Sequence, residues 1–544
     1  MSRGNQKYFV FLDEINTCIH IDLITEIIIN HTLNGRKLHP DIVIVGALNP
    51  HRYRTIQQLS VSGLEYRGPT GSALDAPSSN TLDKDLVYKV HPIPDTLLSY
   101  IYDFGALESS VEALYIRSMI SRGLELNSQE EGQERRQVPL GRLNLTDEEK
   151  NLFTQLLLFA QEYIRKIEGE VSSTSLRDVK RCIQLVKWFQ SIAHLIPASL
   201  LRSDLRSVWT YTCSLRSYVL AIALVYHYRI NQRSQRYALW SNLSRIMIDF
   251  FGNRIRRNQR DLFHVNHLLG LLKHEESYYC HQLVIEDNIA KNEALSENLF
   301  VTITCICNRI PVFLVGKPGS SKTLTLSIIE NNLRGVTSPN RFWSNFPAVT
   351  ILSYQCSPLS RASGILNQYR KACSYQQNLN PAQFVYILLL DEIGLAEHSA
   401  DMPLKILHQI LPEEIISVIG ISNWVLDPAK MNRAILISRP DPTAADLEQT
   451  GKIITENAME ATQNDSAQLK KTILKCLANA FHEVYQGQEG SHVFFGLRDY
   501  YSLLKQLRKA NARAITWDIL LEAICRNFGA KLQLLEKVST DRFQ

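Results

Sequence analysis

The sequence predicts an α/β chain of tandem P-loop modules: parallel sheets flanked by helices, with helical lids and a helical linker. Three observations predict it. Residues 312–323 read as an apolar strand, a Gly/Pro-rich turn and the start of a helical run. Two later apolar strands, 385–390 and 417–422, each deliver polar groups at their C-terminal ends. A parallel sheet that binds ligand at its carboxyl edge requires that arrangement. The second half of this grammar is also written twice, once over residues 8–49 and again over 385–423.

The first module, a core over residues 1–120, opens on a carboxylate strand. Tyr8-Phe-Val-Phe-Leu leads into Asp13 and Glu14, and a second apolar strand from Val43 leads into Asn49. Asp13 and Asn49 lie 36 positions apart, and Asp391 and Asn423 lie 32 apart. Ser175-Leu-Arg177-Asp178 is echoed by Gly496-Leu-Arg498-Asp499, each inside a helical pattern. Asp13, Glu14, Asn49 and Arg177 therefore make a degenerate first site. The module begins at its Asp-Glu strand, so no phosphate loop is expected before it, and by itself it is expected not to bind nucleotide.

Residues 60–80 are rich in Gly, Pro and Ser and read as an exposed loop. Residues 125–137 are dense in Glu, Gln and Arg and read as a solvated segment rather than a binding tail. A first lid is placed at 140–193, where Leu152, Leu156, Phe159 and Tyr163 recur at helical spacing. A helical linker follows at 194–285, rich in Arg and Tyr, Arg202 to Arg260 especially. Its basic content is read as structural, with an acidic partner surface as the alternative.

The second core, 286–449, is complete. Gly316, Lys317, Pro318, Gly319, Ser320, Ser321, Lys322 and Thr323 form a loop between strand and helix. Gly316 and Gly319 let the backbone curl so that its N–H groups converge on an anion, and Lys322 supplies a point charge for terminal phosphates. Thr323 offers a hydroxyl to Mg²⁺, and Asp391, 68 positions later, would hold the same ion. Glu392 would orient and polarise the attacking water, and Asn423 would sense the terminal phosphate. A tight turn with an exposed lysine is the competing reading of the loop alone; Ser321, where the general pattern has Gly, favours it. A second lid is placed at 450–544.

Composition narrows the class. Hydrophobic content of 45% supports full cores, and a net charge of +5 gives no argument for nucleic acid. The ten cysteines include no C-x₂-C pair, so neither a disulfide framework nor a zinc site is indicated, and Cys305 and Cys307 are expected in a core. The apolar run 218–228 is eleven residues flanked by Arg216 and Arg229, a buried helix rather than a membrane span. No secretory segment is read at the start, and the expected location is the cytosol.

Several blocks go beyond a generic P-loop chain. Asn288-Ile-Ala-Lys-Asn-Glu-Ala-Leu, Gly316-Lys-Pro-Gly-Ser-Ser-Lys-Thr, Tyr354-Gln-Cys-Ser-Pro-Leu-Ser360, Leu390-Asp-Glu-Ile-Gly-Leu-Ala-Glu397, Gly420-Ile-Ser-Asn-Trp and Leu426-Asp-Pro-Ala-Lys-Met-Asn-Arg433 resemble the mysterin family. These are giant AAA+ ubiquitin ligases with a RING finger and a dynein-like row of six AAA units. The resemblance covers most of the chain and implies the end of the third unit and all of the fourth, with ATP and Mg²⁺ as cofactors. It implies that Asn423 is the first sensor, Arg498 the lid sensor and Arg433 a finger directed at the neighbouring unit's nucleotide, with a surface salt bridge as the bland alternative for Arg433. Ser321 is normal in this family. Implied partners are the other AAA units and the RING module of the parent chain, and a ubiquitin-conjugating enzyme through that parent; nucleic acid is not among them.

Two departures stand out. Six residues separate Leu411 from Val418, fewer than the resemblance implies, and Asp85 falls opposite Arg433, with Arg52 and Arg54 placed to substitute for a finger. No Cys/His spacing for a RING is present, so ligase chemistry belongs to the family and not to these residues. The expected function is an ATPase module that converts ATP binding and hydrolysis into conformational change. The competing function is a scaffold that binds ATP without turning it over.

Overall fold

The computed structural model describes residues 7–18, 20–52, 86–88, 90–105, 107–124, 147–195, 209–252, 260–286, 289–399, 401–456, 464–486, 495–509 and 517–529. The stretches 60–80 and 125–137, and residues Arg54, Asp85, Arg202 and Asn288, lie outside them.

Strands β1 (Tyr8–Leu12) and β4 (Ile42–Gly46) of the first module pair in parallel, with Leu12 opposite Gly46. Between them β2 (Thr32–Leu33) and β3 (Arg36–Lys37) form a small hairpin. Its two-residue turn places Asn34 and Gly35 at φ +50° and +74°, the left-handed pair that such turns favour. Both faces of β1 are open: Tyr8, Phe9, Val10 and Phe11 are all exposed.

The second module is a five-stranded, wholly parallel sheet of order β6-β7-β8-β5-β9. Its strands are β5 (Val312–Val315), β6 (Ala348–Gln355), β7 (Phe384–Asp391), β8 (Ser417–Ser422) and β9 (Ile435–Ser438). β5, β8 and β9 are buried along their whole length, as parallel strands covered on both faces must be. Leu390 lies opposite Gly420 in the β7–β8 pair. The register of the two modules is thus the same: in each, the residue before the Asp pairs with a glycine three positions before the Asn. The sequence repeat is a repeat of structure.

The helices Asp147–Glu168 and Leu176–Ser191 pack with Trp209–Ile222, Arg233–Phe251, Val265–Gln282 and Glu293–Asn308 around one apolar interior. That interior runs without a break from Ile116 to Ile437 and includes one face of the five-stranded sheet. A second cluster fills the opposite face of the sheet, and a third holds the lid helices Asn464–Gln486, Leu497–Lys509 and Trp517–Phe528 together. Linker and second core therefore share a core. Backbone bonds reinforce this, because the Ser438 N–H donates to the Tyr228 carbonyl at 2.8 Å at the free edge of β9.

Three arginines of the linker, Arg216, Arg229 and Arg236, turn inward, while Arg233, Arg245 and Lys273 stay exposed. Arg216 pairs with Glu275 at 2.6 Å with both side chains buried, and Arg229 grips Glu168 through two bonds of 2.5 and 2.7 Å. Arg236 meets Glu297 at 3.1 Å, and Arg439 closes on the same carboxylate from the end of β9. A charge so buried is tolerated only when paired, which makes these arginines internal struts. The run 218–228 is buried as expected. Cys305 is buried and Cys307 partly so, on the helix Glu293–Asn308. No helix among the described residues is long and apolar enough to cross a membrane.

Candidate nucleotide site and the junction between modules

The phosphate loop follows β5 and ends where the helix Lys322–Asn332 begins, so the unpaired N–H groups of its first turn face the loop. Two residues bend the chain there: Gly319 at φ +89° and Ser321 at φ +61°. The serine that replaces glycine thus adopts the left-handed conformation itself. Ser321 also starts the helix, its carbonyl accepting from the Thr325 hydroxyl at 2.8 Å.

Lys322 is buried and folds back over the loop. Its ammonium donates to the carbonyls of Gly316 at 2.5 Å and Lys317 at 3.2 Å, and to Asn423 Oδ1 at 3.1 Å. Burial lowers its pKa to about 8, with Glu392 pulling it up and the Arg498 guanidinium pulling it down. An ammonium held at a cost in desolvation gains most from an arriving phosphate.

Glu392 stands at the end of β7 at φ +52°, and both of its carboxylate oxygens accept from the Asn423 amide, at 3.1 and 2.8 Å. Asp391 Oδ1 accepts from the Glu392 N–H at 3.1 Å. The residues from Gly319 to Leu324 line a cavity of about 250 Å³ together with Glu392, Asn423 and, from the lid, Arg498 and Tyr501. Gly316, Lys317 and Pro318 do not line it. The donor set fits a magnesium-bound triphosphate in part: Thr323 is exposed and lines the cavity, whereas Asp391, the other expected metal ligand, does not line it and sits beside Glu392 at the end of β7.

The first module repeats this geometry. Glu14 stands at φ +50°, and the Asn49 amide donates to its Oε1 at 3.2 Å. The lids match as well: Asp178 accepts from the Ser175 N–H at 2.9 Å, and Asp499 from the Gly496 N–H at 2.8 Å. These caps fix Arg177 and Arg498 at corresponding positions on their helices.

Arg433 links the two modules. It is half-buried, and its Nη2 donates to His408 Nδ1 at 3.1 Å; His408 lies 3.6 Å from Asp13 and 3.7 Å from Glu14. Burial lowers the Arg433 pKa, with Arg177 adding to the depression and Glu14 and Asp13 opposing it. Burial likewise lowers His408, opposed by Glu14 and reinforced by Arg433. Asp13, Glu14 and Arg177 therefore surround a guanidinium from the next module, and Asn49 joins them through Glu14. Arg52, read as a substitute finger, is instead engaged with Glu170 of the first lid.

Two residues of this junction escaped the sequence reading. Arg181 of the first lid donates to the carbonyls of Asn432 at 3.1 Å and Ala434 at 3.3 Å, clamping the backbone on either side of Arg433. His408 is the other, on the short helix Leu407–Ile410. Each sits among other polar residues, Arg181 beside Lys180 and His408 beside Gln409, so nothing local in the sequence singled it out.

Residues 288–446 match the family model described as the RNF213 AAA domain. Along 545 residues the chain is 33% identical to human E3 ubiquitin-protein ligase RNF213, over 96% of the chain and 10% of that protein. The chain belongs to the RNF213 family. The zebrafish E3 ubiquitin-protein ligase rnf213-beta is likewise 33% identical over 553 residues, 97% of the chain and 10% of the relative. The chain thus spans about a tenth of the length of the RNF213 relatives it matches. Among solved structures, a point variant of Thermotoga maritima RuvB aligns at 15% identity and a TM-score of 0.27, over 43% of this chain and 69% of that one. The AAA module of this RNF213-family chain is an α/β P-loop fold with its cavity at the carboxyl edge of the sheet.

Proposed function

We propose that this chain is an ATP-driven module of an RNF213-type ubiquitin ligase, in which the second unit binds and hydrolyses Mg-ATP. The convergence of Lys322, Asn423 and Glu392 on one cavity roofed by Arg498 carries the reading. Lys322 would exchange its loop carbonyls for phosphate oxygens, freeing Asn423 Oδ1. Thr323 and Asp391 would hold Mg²⁺, which neutralises phosphate charge when bound. Glu392 would take the proton side of the attacking water once Asn423 releases it. Arg498 would read the phosphates from the lid, so that turnover changes how lid and core sit together.

Arg433 would act in the opposite direction, towards the first unit, where Asp13, Glu14, Asn49 and Arg177 supply the cis groups of a shared site. A guanidinium delivered across the junction stabilises transferring charge only when the modules are engaged. Ubiquitin transfer, the RING module and a conjugating-enzyme partner are assigned to the parent protein, and the cytosol to its location.

One observation favours a second reading, a nucleotide-stabilised scaffold: both Glu392 oxygens are already engaged by the Asn423 amide. Calorimetry with Mg-ATP on the chain and on Lys322→Ala tests the site. Binding at one site per chain, lost in the variant, supports it; unchanged affinity in Lys322→Ala overturns it. Turnover at that site then separates motor from scaffold.

A further inference from the structure

Lys317 sits in the phosphate loop, yet its ammonium points out of it. It pairs with Asp441 at 2.9 Å and lies 4.8 Å from the centroid of the Tyr485 ring. Tyr485 in turn donates its hydroxyl to Asp441 at 3.3 Å. The three residues belong to three parts of the module. Lys317 is the loop, Asp441 lies in the connection between β9 and the helix Ala444–Glu456, and Tyr485 is near the end of the lid helix Asn464–Gln486. A buried ring with a cation over its face and a carboxylate at its hydroxyl is a closed three-way contact.

The backbone of the same lysine holds the loop together. Its carbonyl accepts from Lys322 Nζ at 3.2 Å and from the Ser320 hydroxyl at 2.9 Å. Beside it the lid touches the loop directly: a Cβ on Gly319 would come within 2.7 Å of Leu497 Cβ. Arg498 and Tyr501, on the same lid helix as Leu497, line the cavity.

We propose that Lys317 is a positioning residue, a latch that holds the lid closed over the phosphate loop and so sets how firmly nucleotide is gripped. The inference rests on the second unit being the nucleotide site. The lysine side chain ties the loop to the core–lid connection and the lid, while its carbonyl ties it to the phosphate-binding ammonium. Lid opening must therefore break the Lys317 contacts or drag the loop along. With the latch cut, Arg498 and Tyr501 spend less time at the cavity and KM rises. The sheet-borne groups Glu392 and Asn423 do not depend on the latch, so kcat holds.

The test uses the full chain and Mg-ATP, with steady-state turnover and calorimetry on Lys317→Asp, Asp441→Lys, the double exchange, and Lys317→Arg. Each single exchange should raise KM and Kd about three- to tenfold with kcat within about twofold, the scale of a partly exposed ion pair plus a cation–π contact. The double exchange should restore KM, because it rebuilds the pair with its signs reversed. Lys317→Arg keeps charge and ring contact and should match the parent chain. If Lys317→Asp unfolds, Lys317→Gln takes its place, with the same thresholds. Single exchanges without effect on KM, or a double exchange no better than the singles, overturn the latch. Lys322→Ala runs alongside: its loss of binding with a silent Lys317→Asp overturns the latch alone, whereas its unchanged binding overturns the site itself.

Discussion

Gly319→Ala probes the contact between lid and phosphate loop without touching any charged group. The added Cβ would lie 2.7 Å from Leu497 Cβ and 3.1 Å from the Arg498 backbone nitrogen, and the residue holds φ +89°. Neither neighbour is the tip of a flexible side chain, so the lid helix must retreat by about 0.7 Å or more to reach ordinary contact. A left-handed conformation on a non-glycine residue costs about 1–3 kcal/mol, and overpacking adds about 1 kcal/mol. In the nucleotide-free chain the loop and lid can relax apart and avoid most of this cost. Binding ATP requires them to return, so about 2–3 kcal/mol appears as lost affinity, roughly thirty- to 150-fold in Kd. Calorimetry with Mg-ATP reads it directly, and hydrogen exchange over 497–509 should rise. Gly316→Ala is the contrast: its φ is not left-handed, and its new Cβ would meet the Ser320 hydroxyl at 3.0 Å and the Arg439 stem at 3.3 Å. Those side chains can give, so it should cost less. A Gly319→Ala chain with parental affinity and unchanged exchange at the lid would refute the reasoning.

Three further outcomes follow from other parts of the chain. Glu392→Gln should retain ATP while turnover falls by about 10²–10⁴-fold, since the amide keeps the shape but loses the base; equal turnover in a phosphate-release assay would favour the scaffold reading. Glu276 is raised to about 8 by burial, with Glu297 adding to it, so the folded chain keeps a proton that the unfolded chain releases from about pH 4.3 upward. Its stabilising contribution is full below about pH 4.3, falls as pH rises and is gone once pH has passed about 8, so Glu276→Gln should flatten the decline of Tm between about pH 5 and 8. Arg181→Met should lower the stability of the junction by about 3 kcal/mol, the low end for breaking a buried pair because Asp178 keeps the Ser175 N–H; an unmoved thermal transition would remove Arg181 from the junction.

What the sequence disclosed was whatever is carried by one element and its end. β5, β7 and β8 are apolar runs whose functional groups follow within a few residues, so the loop, Asp391, Glu392 and Asn423 could be read locally. The lid arginines were legible through the cap beside them, because Ser175 and Gly496 each precede an Asp by three positions. Contacts between distant elements left no such trace. Lys180 pairs with Glu414, Arg181 with the carbonyls of 432 and 434, and Lys317 with Asp441, each pair more than 100 positions apart. A lone cation has no periodicity to betray its partner. The same blindness separated linker from core at residue 285, a boundary drawn from composition, although the interior packs straight across it.

The two carboxylate strands share a backbone geometry but not their surroundings. Glu14 and Glu392 share a left-handed backbone and an asparagine amide, so each is held in cis in the same way. Their surroundings differ. Glu392 faces its own Lys322 and the lid Arg498, whereas Glu14 faces His408 and, through it, Arg433 of the following module. Arg181 grips the carbonyls on either side of Arg433, and Arg181 rides on the helix that carries Arg177. The segment that begins at Asp427 is thereby tied to the helix Leu176–Ser191. Through β9, which follows that segment directly, it reaches Arg439 beside Gly316 of the second phosphate loop. On the proposed reading, the short run of backbone from Arg433 to Arg439 joins the two candidate sites and would carry coupling between the modules.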